Sequence, residues 1–260
     1  MKSINLEKNL TITKLPDLCT PNLEKLDISS CRNLIEVDEA IGSLDKLKEL
    51  SLGGCIKLKT LPSTLRLKSL EFIALNNCKS LEKFPNIHSE MVPNFLGLGG
   101  TNIREWPLSP GNLISGLEEL FLDDCQNFDF LVSFSTYEFT NLRVLEVSHC
   151  DGNIIESHIL TRLESFPSLM YLGLRDSSIV TIPRRISRFT RLQELDVRNC
   201  EKLREISRLP PSMSLVLATN CMSLDLPSSC RLLNQVSSLY ANNQVRYIYI
   251  YIYLTRIFKF

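Results

Sequence analysis

Nine cysteines, three histidines and several paired carboxylates are the side chains of this chain that could do chemistry. Zinc ligation needs Cys-x-x-Cys or Cys/His pairs at short spacing. Here no two cysteines lie within four residues, and His88, His149 and His158 sit in unrelated contexts. Nucleophilic catalysis needs a nucleophile, a base and an orienting group at shared structural positions, and no such set can be assembled. Asp123-Asp124 resembles an acid/base pair but reads as a solvated strand edge. Gly97-Leu98-Gly99-Gly100 lacks the Gly-Lys-Ser/Thr ending of a phosphate loop. The residues therefore point away from an enzyme and away from a bound metal or cofactor.

The cysteines are better explained by where they recur. Cys31, Cys55, Cys78, Cys125, Cys150, Cys200 and Cys221 all follow the same skeleton, typified by Leu23-x-x-Leu26-x-Ile28-x-x-Cys31-x-x-Leu34. Counting from the first position of each repeat, the starts are Met1, Leu23, Leu47, Leu70, Pro93, Leu117, Leu142, Leu169, Leu192 and Met213. Positions +3 and +5 are apolar throughout, the alternation of a short strand with one buried face. Position +8 is Cys except for Asn9, Thr101 and Ser177. All four residue types can hydrogen-bond backbone, and Cys also tolerates burial. A disulfide framework would need an oxidising compartment. Repetition of one buried position explains these cysteines as reduced thiols without any bond, and this favours the cytosol, with the nucleus also open.

Repeat length and residue type agree. After Cys the next apolar positions fall at +11 and +14, as in Leu34/Val37 and Leu203/Ile206. After Thr101 and Ser177 they fall one residue sooner, at Ile103/Trp106 and Ile179/Ile182. A Leu-Pro-like step follows in several repeats (Leu15-Pro16, Leu61-Pro62, Ile182-Pro183), which suits backbone free of ladder bonds. Leu44, Leu67, Ile114, Phe139, Phe166 and Phe189, three before the next repeat, are placed on turns or short helical segments. Pro93 at a repeat start predicts an irregular strand there.

This is a leucine-rich repeat. The expected fold is an α/β solenoid (a horseshoe) with a parallel concave sheet and an irregular or short-helical convex side. About ten repeats fill residues 1–224, and residues 225–260 form a non-repeat tail. The chain starts directly in repeat material, and the expectation is that it is cut from something longer. In the tail, Tyr247-Ile248-Tyr249-Ile250-Tyr251-Ile252-Tyr253 is the translation expected of a TA dinucleotide tract, so the tail reads as non-coding sequence carried into the frame. As protein it would be disordered or an aggregation-prone strand.

Positions +2, +4 and +6 point onto the concave face. They include Lys25, Asp27, Glu49, Phe72, Phe95, Glu119, Phe121, Asp123, Glu146, Tyr171, Arg175, Glu194, Asp196 and Arg198. The face carries eight acids, counting Glu7, against three bases, while the whole chain has 29 Lys+Arg and 29 Asp+Glu. Aromatics among charges suit a protein interface; the alternative is a solvated sheet that carries its aromatics by chance. A neutral chain with no basic excess gives no reason to expect nucleic acid or an anionic membrane as partner. No apolar run in it is long enough to span a bilayer.

The pattern resembles the leucine-rich region of plant intracellular TIR-type nucleotide-binding disease-resistance receptors. The carrying stretches are Pro21-Asn22-Leu23-Glu24-Lys25-Leu26, Ala40-Ile41-Gly42-Ser43-Leu44, Gly100-Thr101-Asn102-Ile103-Arg104-Glu105-Trp106-Pro107 and Leu209-Pro210-Pro211-Ser212. The resemblance implies a protein-interaction module that senses pathogen effectors or restrains the receptor's own nucleotide-binding domain. No TIR domain or P-loop is present in these residues, so NAD cleavage and nucleotide binding are not carried over. Alternatives are the substrate-recognition arm of a ubiquitin ligase, an extracellular ectodomain, and a truncated product without autonomous function.

Overall fold

The computed structural model describes residues 1–88, 90–104, 115–125, 137–231 and 234. The chain forms two compact bodies, Met1–Leu142 and Arg143–Phe260. Each is a parallel-sheet solenoid. In the first body, strands Ser3–Asn5, Lys25–Asp27, Glu49–Ser51, Phe72–Ala74, Phe95–Gly97 and Glu119–Phe121 pair in sequence order. In the second, Val144–Glu146, Tyr171–Gly173, Glu194–Asp196 and Leu215–Leu217 do the same.

The register sets like on like. Leu26 sits opposite Leu50, Leu50 opposite Ile73, Ile73 opposite Leu96 and Leu96 opposite Leu120. In the second body Leu145, Leu172, Leu195 and Val216 stack the same way. Positions +3 and +5 are buried from the second repeat on. Because each repeat contributes one identical strand, the core is a ladder of leucines shared between neighbours.

The strand exit is held by a feature the leucine pattern does not announce. Position +7 is left-handed in all ten repeats: Lys8, Ser30, Gly54, Asn77, Gly100, Asp124, His149, Asp176, Asn199 and Asn220 have φ between 54° and 77°. Asn, Asp and Gly tolerate this region best, and they fill seven of the ten places. The left-handed residue turns the chain so that position +8 points inward.

There the thiols close the turn. Cys31 Sγ donates to the Leu6 carbonyl at 3.1 Å, Cys55 to Ile28 at 3.1 Å and Cys78 to Leu52 at 3.2 Å. Cys200 donates to Leu174 at 3.0 Å and Cys221 to Val197 at 3.0 Å. In each case the acceptor is position +5 of the preceding repeat. Ser177 Oγ reaches the equivalent Val147 carbonyl at 3.5 Å, whereas Thr101 Oγ1 turns back to its own Leu98 carbonyl at 2.7 Å. Cys150 donates to the Ser148 carbonyl within its own repeat at 3.4 Å. Burial pushes Cys78 and Cys200 up to about 12, and Cys55 to about 11. These are inert thiols. Maleimide at pH 7.5 is expected to label Cys19 and Cys230, the two exposed cysteines, quickly and the buried ones only after urea is added. Fast labelling of Cys55 or Cys78 in the native protein would contradict the buried ladder.

The two short-turn repeats behave as their sequence predicts: Ile103, Ile179 and Ile182 are buried one residue earlier than their counterparts. Trp106, Ile114 and the Tyr247–Tyr253 run lie outside the described residues. The repeat running from Leu142 to Ser168 has room for an extra helical insertion, Gly152–Ile154 continuing into a π-turn at Ile155–Ile159. Asp151 caps it by accepting from Asn153 N at 2.8 Å. Gly152 is required here, because a Cβ would lie 2.3 Å from Ile179 N and from the Ser178 carbonyl carbon.

Two expectations need correction. The Pro93 repeat is regular, with Phe95–Gly97 in register with both neighbours. Position 0 precedes the strand; its N–H normally closes a turn, as Leu47 N does to the Leu44 carbonyl at 2.9 Å. Proline there loses a turn bond and no ladder bond. The Leu-Pro step, in turn, is not free of pairing. The residue before the proline pairs at Leu15, in Lys14–Leu15 with Glu36–Val37, and at Ile182, in Thr181–Ile182 with Glu205–Ile206, while Thr64–Leu65 pairs with Asn86–Ile87 just past the prolines; these are small parallel sheets separate from the main one, and the prolines themselves stay outside them. Short 3-10 turns at Glu39–Ser43 and Arg184–Arg188 then deliver Leu44 and Phe189 to the core. Beyond the last full repeat, residues 226–231 are helical, with Asp225 Oδ1 accepting from Ser228 N at 2.7 Å and Ser228 Oγ accepting from Ile206 N at 3.1 Å.

Candidate protein-binding face

In the first body the register fixes the outward rows. Along position +2 the order is Ser3, Lys25, Glu49, Phe72, Phe95, Glu119. Along +4 it is Asn5, Asp27, Ser51, Ala74, Gly97, Phe121. Phe72 and Phe95, directly opposite each other, stack at 4.2 Å between ring centroids with planes 16° apart. Phe121 leans onto Phe95 diagonally, at 5.2 Å and 32°. All three rings are half-buried. The residue opposite Phe121, Gly97, has no side chain, and the Asn76 amide occupies the space a Cβ there would need. Three aromatic rings in contact on the solvent face of a sheet do not serve the core beneath.

Charges border the rings. Glu49 is bound by Lys25 Nζ at 2.6 Å, with both side chains about half exposed. Glu119 is exposed, and Asp123 and Asp27 are half-buried. This face of the first body holds five of the predicted acids (Glu7, Asp27, Glu49, Glu119, Asp123) and one of the bases, Lys25.

The second body differs. Glu146 and Asp196 were expected on the surface with the other acids, but they are 3% and 1% exposed. Glu146 accepts from Tyr171 Oη at 2.8 Å and from the Ser148 hydroxyl. Arg198 chelates Asp196, with Nη2 at 2.6 Å from Oδ2 and Nε at 3.0 Å from Oδ1. Arg175 lies between the two carboxylates, 3.6 Å from each. Alternation places Glu146 and Asp196 on the outward face correctly, but the longer side chains of Tyr171, Arg175 and Arg198 cover them. Both carboxylates are buried against partners from their own body. Tyr171, predicted as an aromatic anchor, spends its hydroxyl on Glu146. Burial, and then that hydrogen bond to a carboxylate, raises its pKa. The hydrogen bond to Asp196 holds Arg198 above its usual pKa. Glu194 remains half exposed.

Gly173 makes this arrangement possible. It sits opposite Glu146 on one side and Asp196 on the other. A Cβ on it would come within 2.2 to 2.3 Å of the Glu146 carboxylate atoms. Among the described residues no group of three His, Cys, Asp or Glu is arranged to hold a metal ion.

A family model described as a leucine-rich repeat region matches residues 121–247. Protein SUPPRESSOR OF npr1-1, CONSTITUTIVE 1 of Arabidopsis thaliana is 32% identical over 201 residues, 77% of this chain and 13% of that protein. TMV resistance protein N of Nicotiana glutinosa is 26% identical over 82% of this chain and 25% of its own length. The chain thus spans a quarter or less of these relatives. Among solved structures, the leucine-rich repeat domain of the type III effector XCV3220 (XopL) aligns over 80% of this chain and 73% of that one, at 19% identity and a TM-score of 0.45.

Proposed function

The chain is a leucine-rich-repeat region of the kind found in plant TIR-type nucleotide-binding disease-resistance proteins, and from that premise we propose that it is the protein-interaction module of an intracellular immune receptor. In this reading its sheet face contacts a pathogen effector, or holds the receptor's own nucleotide-binding domain at rest. The observation that carries the reading is the aromatic cluster of Phe72, Phe95 and Phe121 on the solvent side of the first body, bordered by acids. Large aromatic side chains set among polar ones are the usual anchors of protein interfaces. The ladder of buried, protonated thiols supports work in a reducing compartment, the cytosol or nucleus.

Binding of the full chain to effectors and to a nucleotide-binding domain is the direct test. Combined reversal of Glu49, Glu119 and Asp123 to Lys is expected to weaken the partner at least tenfold while the melting temperature changes little, because none of the three is fully buried. Unchanged affinity in a folded triple variant would remove the face from the reading.

A further inference from the structure

The row Glu49, Phe72, Phe95, Glu119 has a spacing that selects its ligand. These four residues occupy position +2 of four consecutive strands, in register. Neighbouring strands lie about 4.8 Å apart, so the two acids are separated by about 14 Å with the stacked rings between them. An extended peptide advances about 3.3 Å per residue and turns alternate side chains to one face. Its residues i, i+2 and i+4 therefore span about 13 Å on that face, close to the distance from Glu49 to Glu119.

We propose that this row binds a basic segment of a protein partner in extended form, with Lys or Arg at i and i+4 and an apolar side chain at i+2. The proposal rests on the protein-interaction reading above and names the chemistry of its partner. The apolar residue covers the Phe72–Phe95–Phe121 cluster, and the cations meet Glu49 and Glu119. The 4.2 Å stack runs along the row, so the far face of Phe72 looks toward the strand of Glu49. A guanidinium there has the carboxylate on one side and a ring face on the other, which favours arginine. Lys25 already neutralises Glu49, but through an exposed pair that a second cation can displace at little cost. Charge complementarity selects this partner over an acidic one: the first-body face presents five acids and one base.

The test uses the full chain and a fluorescent peptide containing Arg-Ser-Leu-Ser-Arg. Its affinity is expected to exceed that of a peptide with the same composition and adjacent arginines at least fivefold. Glu49→Gln, Glu119→Gln and Phe95→Ala should each weaken it three- to tenfold, with circular dichroism confirming the fold. A charge swap gives the decisive arm: E49K/E119K protein should lose the arginine peptide and gain Glu-Ser-Leu-Ser-Glu. Equal affinity for both arginine spacings, or failure of the swap, overturns the proposal. The two glutamine variants are also tested against the protein partner. If they weaken partner binding although no peptide binds, the basic-segment proposal falls and the protein-interaction reading stands. If they change neither, the proposal falls and this row leaves the protein-interaction reading.

Discussion

Raising the pH from 8 to 10.5 is expected to strip this protein of a large part of its stability. The cause is the thiol ladder. Cys55, Cys78 and Cys200 are wholly buried, and burial holds their protons to about 11, 12 and 12. In the unfolded chain a thiol titrates near 8.5 to 9. A group whose pKa is raised by folding gives its full stability below the unfolded value and loses it as the pH climbs toward the folded one. By pH 10.5 each of these thiols has forfeited about 2 kcal/mol, or about 6 kcal/mol for the three. That is comparable to the lower end of domain stabilities, about 5 to 15 kcal/mol. Urea midpoints at pH 8, 9.5 and 10.5 measure it. Cys78→Ser lowers the starting stability but flattens the pH slope, by about 1.4 kcal/mol per pH unit for the one proton removed. Equal midpoints at pH 8 and 10.5 would show that the ladder is not protected as described.

The second large effect is at Gly173. Gly173→Ala is expected to cost about 3 to 5 kcal/mol, because its methyl takes the place of the Glu146 carboxylate. Displacing that carboxylate leaves the Tyr171 hydroxyl and one side of Arg175 without their partner in a covered site. Gly97→Ala is the control, at the same +4 position in the other body. The atoms nearest its methyl are those of the amide end of half-buried Asn76, which can swing aside. A cost below about 1 kcal/mol is expected there, well under that at Gly173. Adding Glu146→Ala to Gly173→Ala should recover part of the loss, since it empties the contested space. A double variant as unstable as the sum of the singles would mean that the collision is not the cause.

Much of this was legible in the chain. Leu26, Leu50, Ile73 and Leu96 fall in one ladder because alternation and a fixed period leave a single register. The early isoleucines after Ser177 confirmed it to the residue. The left-handed position was missed because Lys8, Ser30 and His149 occupy it alongside the expected Gly, Asn and Asp. The signal was present in Gly54, Asn77, Gly100, Asp124, Asp176, Asn199 and Asn220. The burial of Glu146 and Asp196 escapes the sequence for a different reason. Period-two alternation assigns a side chain to a face, and here it did so correctly. Whether that face is wet depends on Tyr171, Arg175 and Arg198, which alternation does not weigh. The bare Cα at Gly173 was the available clue, since a glycine in a strand often marks close approach by another group.

The thiol bonds run one way: at Cys31, Cys55, Cys78, Cys200 and Cys221 the position +8 thiol donates to the position +5 carbonyl of the repeat before. Where that rule holds, as at Cys31, Cys55 and Cys78, every junction presents the same acceptor and the same donor. A gene segment cut at any two equivalent points can then be duplicated or lost in frame without stranding a buried polar group. Array length becomes a heritable variable of low cost, and each gain or loss moves the outward residues apart or together by one strand, about 4.8 Å. Unequal crossing-over between such genes would therefore produce folded proteins with re-spaced recognition rows more often than misfolded ones.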